Sequence, residues 1–202
     1  MKNKVIFEMT LSAVIIAIIA VMSYIPYVGY INYGVVSITT IHIVVLVAAL
    51  LFGWKQGLVA GTAFGLFSFL QALTASTVMD LAFRNPVISI LPRVLFGFLA
   101  GIIFDGMRKV DNLPVRSILY IVGSVFMTMV HTALVVGMFY AFKSTMGFGE
   151  ILQSIMGIII GTNGLIESIS AGIVVPLIAL PLSRAFPKYN AYDIRKKKEI
   201  KN

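Results

Sequence analysis

Cysteine is absent from all 202 residues, which rules out a disulfide framework and any thiolate metal site. Charge is scarce: 12% of the residues carry it, and only eight are Asp or Glu, against about a quarter charged in soluble domains. Chemistry that needs paired carboxylates or a nucleophile beside a base therefore has little to draw on. No G-x-x-x-x-G-K-[ST] phosphate loop, H-E-x-x-H helix or G-x-S-x-G elbow occurs, so nucleotide hydrolysis, zinc proteolysis and serine hydrolysis by those routes are excluded. The two histidines, His42 and His131, lack any local spacing for a metal. No catalytic residue, cofactor or metal is expected.

What the chain has instead is apolar surface. Apolar residues make up 59% of it, more than a chain this short could bury in water, because a small domain leaves too large a share of its surface outside. Lipid is the natural solvent. Crossing about 30 Å of hydrocarbon takes about 20 helical residues, and apolar stretches near 5–27, 38–54, 56–74, 86–105, 116–142 and 151–183 meet or approach that length. The first begins with Lys2 and Lys4 like a signal peptide, but no cleavage site with a polar continuation follows, so it reads as the first span. The last is too long for one upright crossing, so it either tilts strongly or breaks near Gly161-Thr162-Asn163-Gly164. The expectation is an all-α bundle of six transmembrane helices, one domain over 1–202, with a basic tail at 184–202.

The formal charge of +8 follows the same logic. Thirteen cations fall in the tail, the two termini and alternate short loops, two (Arg84 and Lys143) fall in the other loops, and Arg93 lies inside a span. By the positive-inside rule both termini are expected in the cytoplasm of a multi-pass cell-membrane protein. A nucleic-acid partner is not expected, because no basic face is interleaved with exposed aromatics. The outer loops at 27–37, 74–85 and 143–150 are longer and nearly uncharged, and function concentrates on such loops.

Small residues mark where helices can close on one another. Gly57, Gly61, Gly65 and Ser68 form one stripe, Ser89, Arg93, Gly97 and Gly101 a second, and Gly157, Gly161, Gly164 and Ser168 a third. Ala13 and Ala17 make a notch in the first span that suits either internal packing or a membrane partner.

Polar side chains inside spans are functional candidates, since each costs several kcal/mol to bury. Counting about 1.5 Å per residue from the basic end of each helix, Arg93, His42, His131, Gln71 and Glu167 fall between about 18 and 26 Å up. Five helices thus carry polar groups at one level in the outer half of the membrane, with Asn163 and Tyr24 near its mouth. This reads as a polar cavity open to the outside. The plainer alternative for Arg93 and Glu167 is a structural ion pair. Pro92 frees a backbone carbonyl one turn earlier, which either kinks the helix or exposes polar backbone.

Several ordered segments carry a resemblance: Thr39-Thr40-Ile41-His42-Ile43, Leu51-Phe52-Gly53-Trp54-Lys55-Gln56-Gly57, Phe64-Gly65-Leu66-Phe67-Ser68-Phe69, Asn85-Pro86 and Leu91-Pro92-Arg93-Val94-Leu95-Phe96-Gly97. With these the chain resembles, over nearly its whole length, the substrate-binding (S) components of energy-coupling factor (ECF) vitamin transporters. The resemblance implies a non-catalytic subunit that captures a vitamin from outside. It would then join a transmembrane coupling subunit and two ATP-binding subunits and topple to release its load inward. It implies that Ala13 and Ala17 dock the coupling subunit, that loop 27–37 is a gate, and that Arg93, His131, Asn163, Glu167, Gln71, His42, Tyr24 and Asn85 form the ligand-binding set. Trp54 departs from the proline common at that turn. The pattern is most similar to pantothenate-type members, with Arg93 on the ligand carboxylate; hydroxymethylpyrimidine, folate or another vitamin is the alternative. From other classes, an autonomous facilitator would need a polar path through the apolar inner halves of the spans, and an assembly protein would not need the levelled polar groups.

Overall fold

A computed structural model describes residues 2–33, 36–74, 78–146 and 159–185. Helix α1 spans Lys2–Tyr24, and a hairpin follows, with strand β1 at Tyr30–Tyr33 and β2 at Val36–Thr39. Then come α2 (Ile41–Phe52), α3 (Trp54–Thr74), α4 (Val78–Phe83), α5 (Pro86–Met107) and α6 (Leu113–Met146). A π-helical turn, Ile159–Asn163, opens α7, Gly164–Ala185. The basic tail beyond 185, the loop at 147–150 and the start of the sixth expected span lie outside the described residues. The expected break near Gly161–Gly164 coincides with the π turn.

Among the described residues five helices are long and apolar enough to cross a membrane: α1 from Val5 to Tyr24, α3, α5, α6 from Leu113 to Phe142, and the Gly161–Ser183 stretch. The second expected span is different. Helix α2 has only 12 residues, about 18 Å of rise, and is buried nearly all round by Ile41, His42, Val45, Leu46 and Ala48 to Leu51. A helix apolar on every face belongs at the centre of a bundle. It ends at Gly53, whose φ of 92° reverses the chain and lets its N–H bond the Ala49 carbonyl. The Arg108 guanidinium, also buried, reaches the same carbonyl and pairs with Asp105 at 2.5 Å. A cation expected in a loop thus ties the end of α5 to the end of α2.

The tightest seam joins α3 to α5. A methyl group on Gly97 would strike the Gly57 carbonyl, one on Gly61 the Arg93 carbonyl, and one on Gly101 the Trp54 backbone. Both stripes are legible in their four-residue spacing. The third stripe packs in part, with Gly164 and Ser168 buried. Gly161 faces open space, and Gly157 lies outside the described residues. Helix α7 meets α6 at Gly172, which packs on Val125 and Ile121. Helix α1 turns Ile15, Ile19 and Ser23 inward and leaves both Ala13 and Ala17 exposed. Internal packing does not use the alanine notch.

The fold is all-α as expected, apart from the hairpin, which the sequence reading does not anticipate, and the short helix α4 within loop 74–85. Within the hairpin Tyr30 faces Thr39, Ile31 faces Ile38, Asn32 faces Ser37 and Tyr33 faces Val36. Both strands are rich in aromatic and β-branched residues, a local strand signal that hydropathy over helix-length windows averages away.

Gly97→Val tests the seam. Its Cβ meets main chain, which cannot swing aside as a side chain can, so melting in detergent should drop by the equivalent of at least about 1–3 kcal/mol. Gly137→Ala, where an added methyl meets nothing within 4 Å, should melt at or above wild type.

Candidate binding site

Pro92 shapes the site first. Lacking an N–H, it leaves the carbonyl of Ile88 without its helical donor. The guanidinium of the next residue supplies one: Arg93 Nη1 donates to Ile88 O and to Ser89 O, each at 3.1 Å. Folding back in this way keeps the Arg93 head inside the bundle, where it is only 5% exposed. Its planar face lies 4.3 Å from the Phe83 ring centroid and 5.5 Å from that of Phe64, close enough for cation–π attraction.

Beside it, α2 and α6 contribute the two histidines. His42 and His131 stack nearly parallel, with centroids 6.3 Å apart and 11° between planes. His131 also lies 4.8 Å from the Phe96 ring and 5.7 Å from Phe64, so Phe64 joins it to Arg93. Exposure is 1% for His42 and 4% for His131. Among the described residues no hydrogen bond of normal geometry reaches the four imidazole nitrogens, Arg93 Nε or the Thr39 hydroxyl, all of them buried, although the backbone of Thr39 and Glu167 lies close to His42. Buried polar atoms are almost always paired, and leaving one unpaired costs about 1–3 kcal/mol. These six atoms, carried by α2, α5, α6 and β2, are the candidates for hydrogen bonds to a ligand.

Glu167 and Asn163 behave differently. Glu167 Oε1 accepts from the Thr39 backbone N–H at 2.7 Å, and Asn163 Nδ2 donates to the Ser37 carbonyl at 3.1 Å. Both act on β2. Glu167 influences Arg93 only through space, for no ion pair joins them among the described residues. The structural ion-pair reading is thereby set aside. On the other side of the hairpin, the Tyr30 and Ser68 hydroxyls share a 2.6 Å bond.

The remaining expected residues are scattered. Gln71 is half-buried on α3. Asn85 caps α5 by accepting from Val87 N at 3.0 Å, a placement that Pro86 at the first helical position favours. Tyr24 is 59% exposed and meets Phe67 edge-on at 6.2 Å. Among the described residues no three His, Asp or Glu side chains converge as metal ligands would. Sequence reasoning overlooks Phe64, which lies against both Arg93 and His131, Phe83 against Arg93, and Phe96 against His131. A phenylalanine in an apolar span carries no signal that it borders a polar site.

An unpaired buried cation should weigh on stability. The double variant Pro92→Ala/Arg93→Met restores a helical donor to Ile88 O and removes the charge. Ligand-free, it should melt above wild type by the equivalent of about 1–4 kcal/mol. A lower melting point would reveal a stabilising partner for Arg93 within the protein.

Comparison with known proteins accounts for the arrangement. The family model described as "ECF transporter, substrate-specific component" matches residues 7–179. A pantothenic acid transporter, PanT, of Lactococcus lactis subsp. cremoris is 28% identical over 162 residues, covering 73% of this chain and 78% of that protein. A pantothenate transporter PanT of Leuconostoc mesenteroides subsp. mesenteroides is 32% identical over 81 residues, covering 40% of each. The apolar helices and this match agree: the chain is a multi-pass cell-membrane protein belonging to the family of ECF transporter substrate-specific components.

Proposed function

We propose that this chain binds pantothenate from outside the cell and delivers it inward as the non-catalytic subunit of an ATP-driven importer. The observation that carries this is the Arg93 guanidinium, buried, walled by aromatic rings and in no ion pair with a protein carboxylate among the described residues. A ligand carboxylate would supply the missing counter-charge through charge-assisted bonds. Pantothenate adds two hydroxyls and an amide, groups suited to imidazoles that each offer one donor and one acceptor when uncharged. Arg93, His42 and His131 are the residues we assign to ligand contact. The names of the two pantothenate transporters it resembles support the same ligand.

Six crossings with both termini inside remain the best account of the charge distribution. Helix α2 rises about 18 Å, and β2, running into it through Thr40, adds about 13 Å of chain. Together they match the hydrocarbon thickness of about 30 Å. Strand backbone at that depth is tolerable because its polar groups are paired within protein. The hairpin is then the gate over the site, on the outer side. ATP hydrolysis would fall to two separate subunits, consistent with a chain that has no phosphate loop. Ala13 and Ala17, exposed beside Val14, Ile16 and Ile18, offer a notched apolar face to a transmembrane coupling subunit.

The direct test is to purify the chain alone, identify small molecules carried with it by mass spectrometry, and titrate pantothenate by calorimetry. Binding by wild type with one site is expected. Arg93→Ala should weaken it by about 2–5 kcal/mol, roughly thirtyfold to several thousandfold. Pantothenate binding equally well to Arg93→Ala, or another vitamin binding in its place, would defeat the proposal.

A further inference from the structure

The free edge of β2 is met by side chains of α7 in the manner of a neighbouring strand. Alternate residues of a strand direct their main-chain groups to the same edge. Ser37 and Thr39 are alternate residues, and Asn163 donates to the carbonyl of one while Glu167 accepts from the N–H of the other. The spacing agrees: four helical residues rise about 6 Å, and two strand residues advance about 6.6 Å. Each α7 side chain supplies what the backbone group lacks, donor to acceptor and acceptor to donor. Asn163 ends the π turn and Glu167 lies in the first turn of α7.

We infer that Asn163 and Glu167 are positioning residues that latch the hairpin shut, and that they set how long the ligand stays rather than how it is recognised. This rests on the binding site proposed above. The geometry separates the two tasks. Among the described residues Arg93, His42 and His131 keep polar atoms with no hydrogen-bond partner, whereas Glu167 bonds the main chain of β2 and Asn163 does so too, besides accepting from the Thr162 hydroxyl at 3.5 Å. Because the latch grips backbone atoms, it is indifferent to the side chains of the hairpin. The 2.6 Å Tyr30–Ser68 bond holds β1 on α3, so opening at the α7 side would swing the hairpin about its other flank. At the base of the hairpin Thr40 N bonds Gly29 O at 3.0 Å, next to the latched Thr39.

Two readouts test this. In ligand-free protein, hydrogen–deuterium exchange at the Thr39 amide should accelerate in Glu167→Ala and stay near wild type in Glu167→Gln, whose side-chain oxygen can still accept. With labelled pantothenate, Glu167→Ala and Asn163→Ala should each release ligand roughly ten- to hundredfold faster, as loss of one such bond implies. Their association rates should hold within about twofold, since affinity changes within one site fall mainly on dissociation. Glu167→Gln should release at nearly the wild-type rate. If Glu167→Ala does not fold, Asn163→Ala reads the same latch through Ser37. Unchanged Thr39 exchange would overturn the latch even if wild type bound no pantothenate. Equal loss of affinity in Glu167→Ala and Glu167→Gln with unchanged exchange would assign the carboxylate to ligand contact and overturn it too. Failure of the ligand proposal alone would show as absent wild-type binding with the exchange pattern intact.

Discussion

A guanidinium inside a membrane protein must be solvated by something. In this bundle the Arg93 head obtains two carbonyls of its own helix, one released by Pro92, and the faces of Phe64 and Phe83. These soften the cost of burial without neutralising the charge. Glu167, the acid that acts on it electrostatically, is bonded to the hairpin instead. Much else follows from keeping this charge inside yet unpaired. Phe64 lies against both the cation and His131, and the stacked histidine pair continues the line of polar groups.

Rigidity comes from below. The α3–α5 seam brings main chain against main chain at Gly57, Gly61 and Gly97, and Arg93 belongs to the helix so held. A charged group whose backbone cannot drift keeps its donors aimed, with little reorganisation when a ligand arrives. The hairpin is held differently: the side-chain anchors described for it include single hydrogen bonds to α3, α7 and the π turn. A stiff floor under such a cover would suit the capture and release proposed above.

Much of this is legible in the amino-acid sequence. Helical spans show as long apolar runs because lipid imposes that composition on every residue it touches. The glycine stripes of α3 and α5 show because close approach forbids a Cβ at four-residue intervals. Arg93, His42 and His131 show because polar groups in such runs are costly. What stays hidden depends on partners distant in sequence. Nothing near Glu167 announces that its carboxylate meets the Thr39 amide 128 positions earlier, so it reads as a ligand or ion-pair residue. Gly161 and Gly172 look alike in sequence, yet only the second abuts a neighbouring helix. The hairpin escapes notice because two four-residue strands are too short to disturb a hydropathy profile, and the second expected span reads as one helix although only 12 of its residues form α2.

If the counter-charge of Arg93 arrives with the ligand, the two must be energetically coupled. A calorimetric double-mutant cycle isolates that coupling, crossing wild type and Arg93→Gln with pantothenate and its alcohol analogue lacking the carboxylate. Removing both partners is expected to cost much less than the sum of removing each, with a coupling of about 1.5 kcal/mol or more. Additive losses, with coupling near zero, would mean that the carboxylate binds elsewhere and that Arg93 is not its partner.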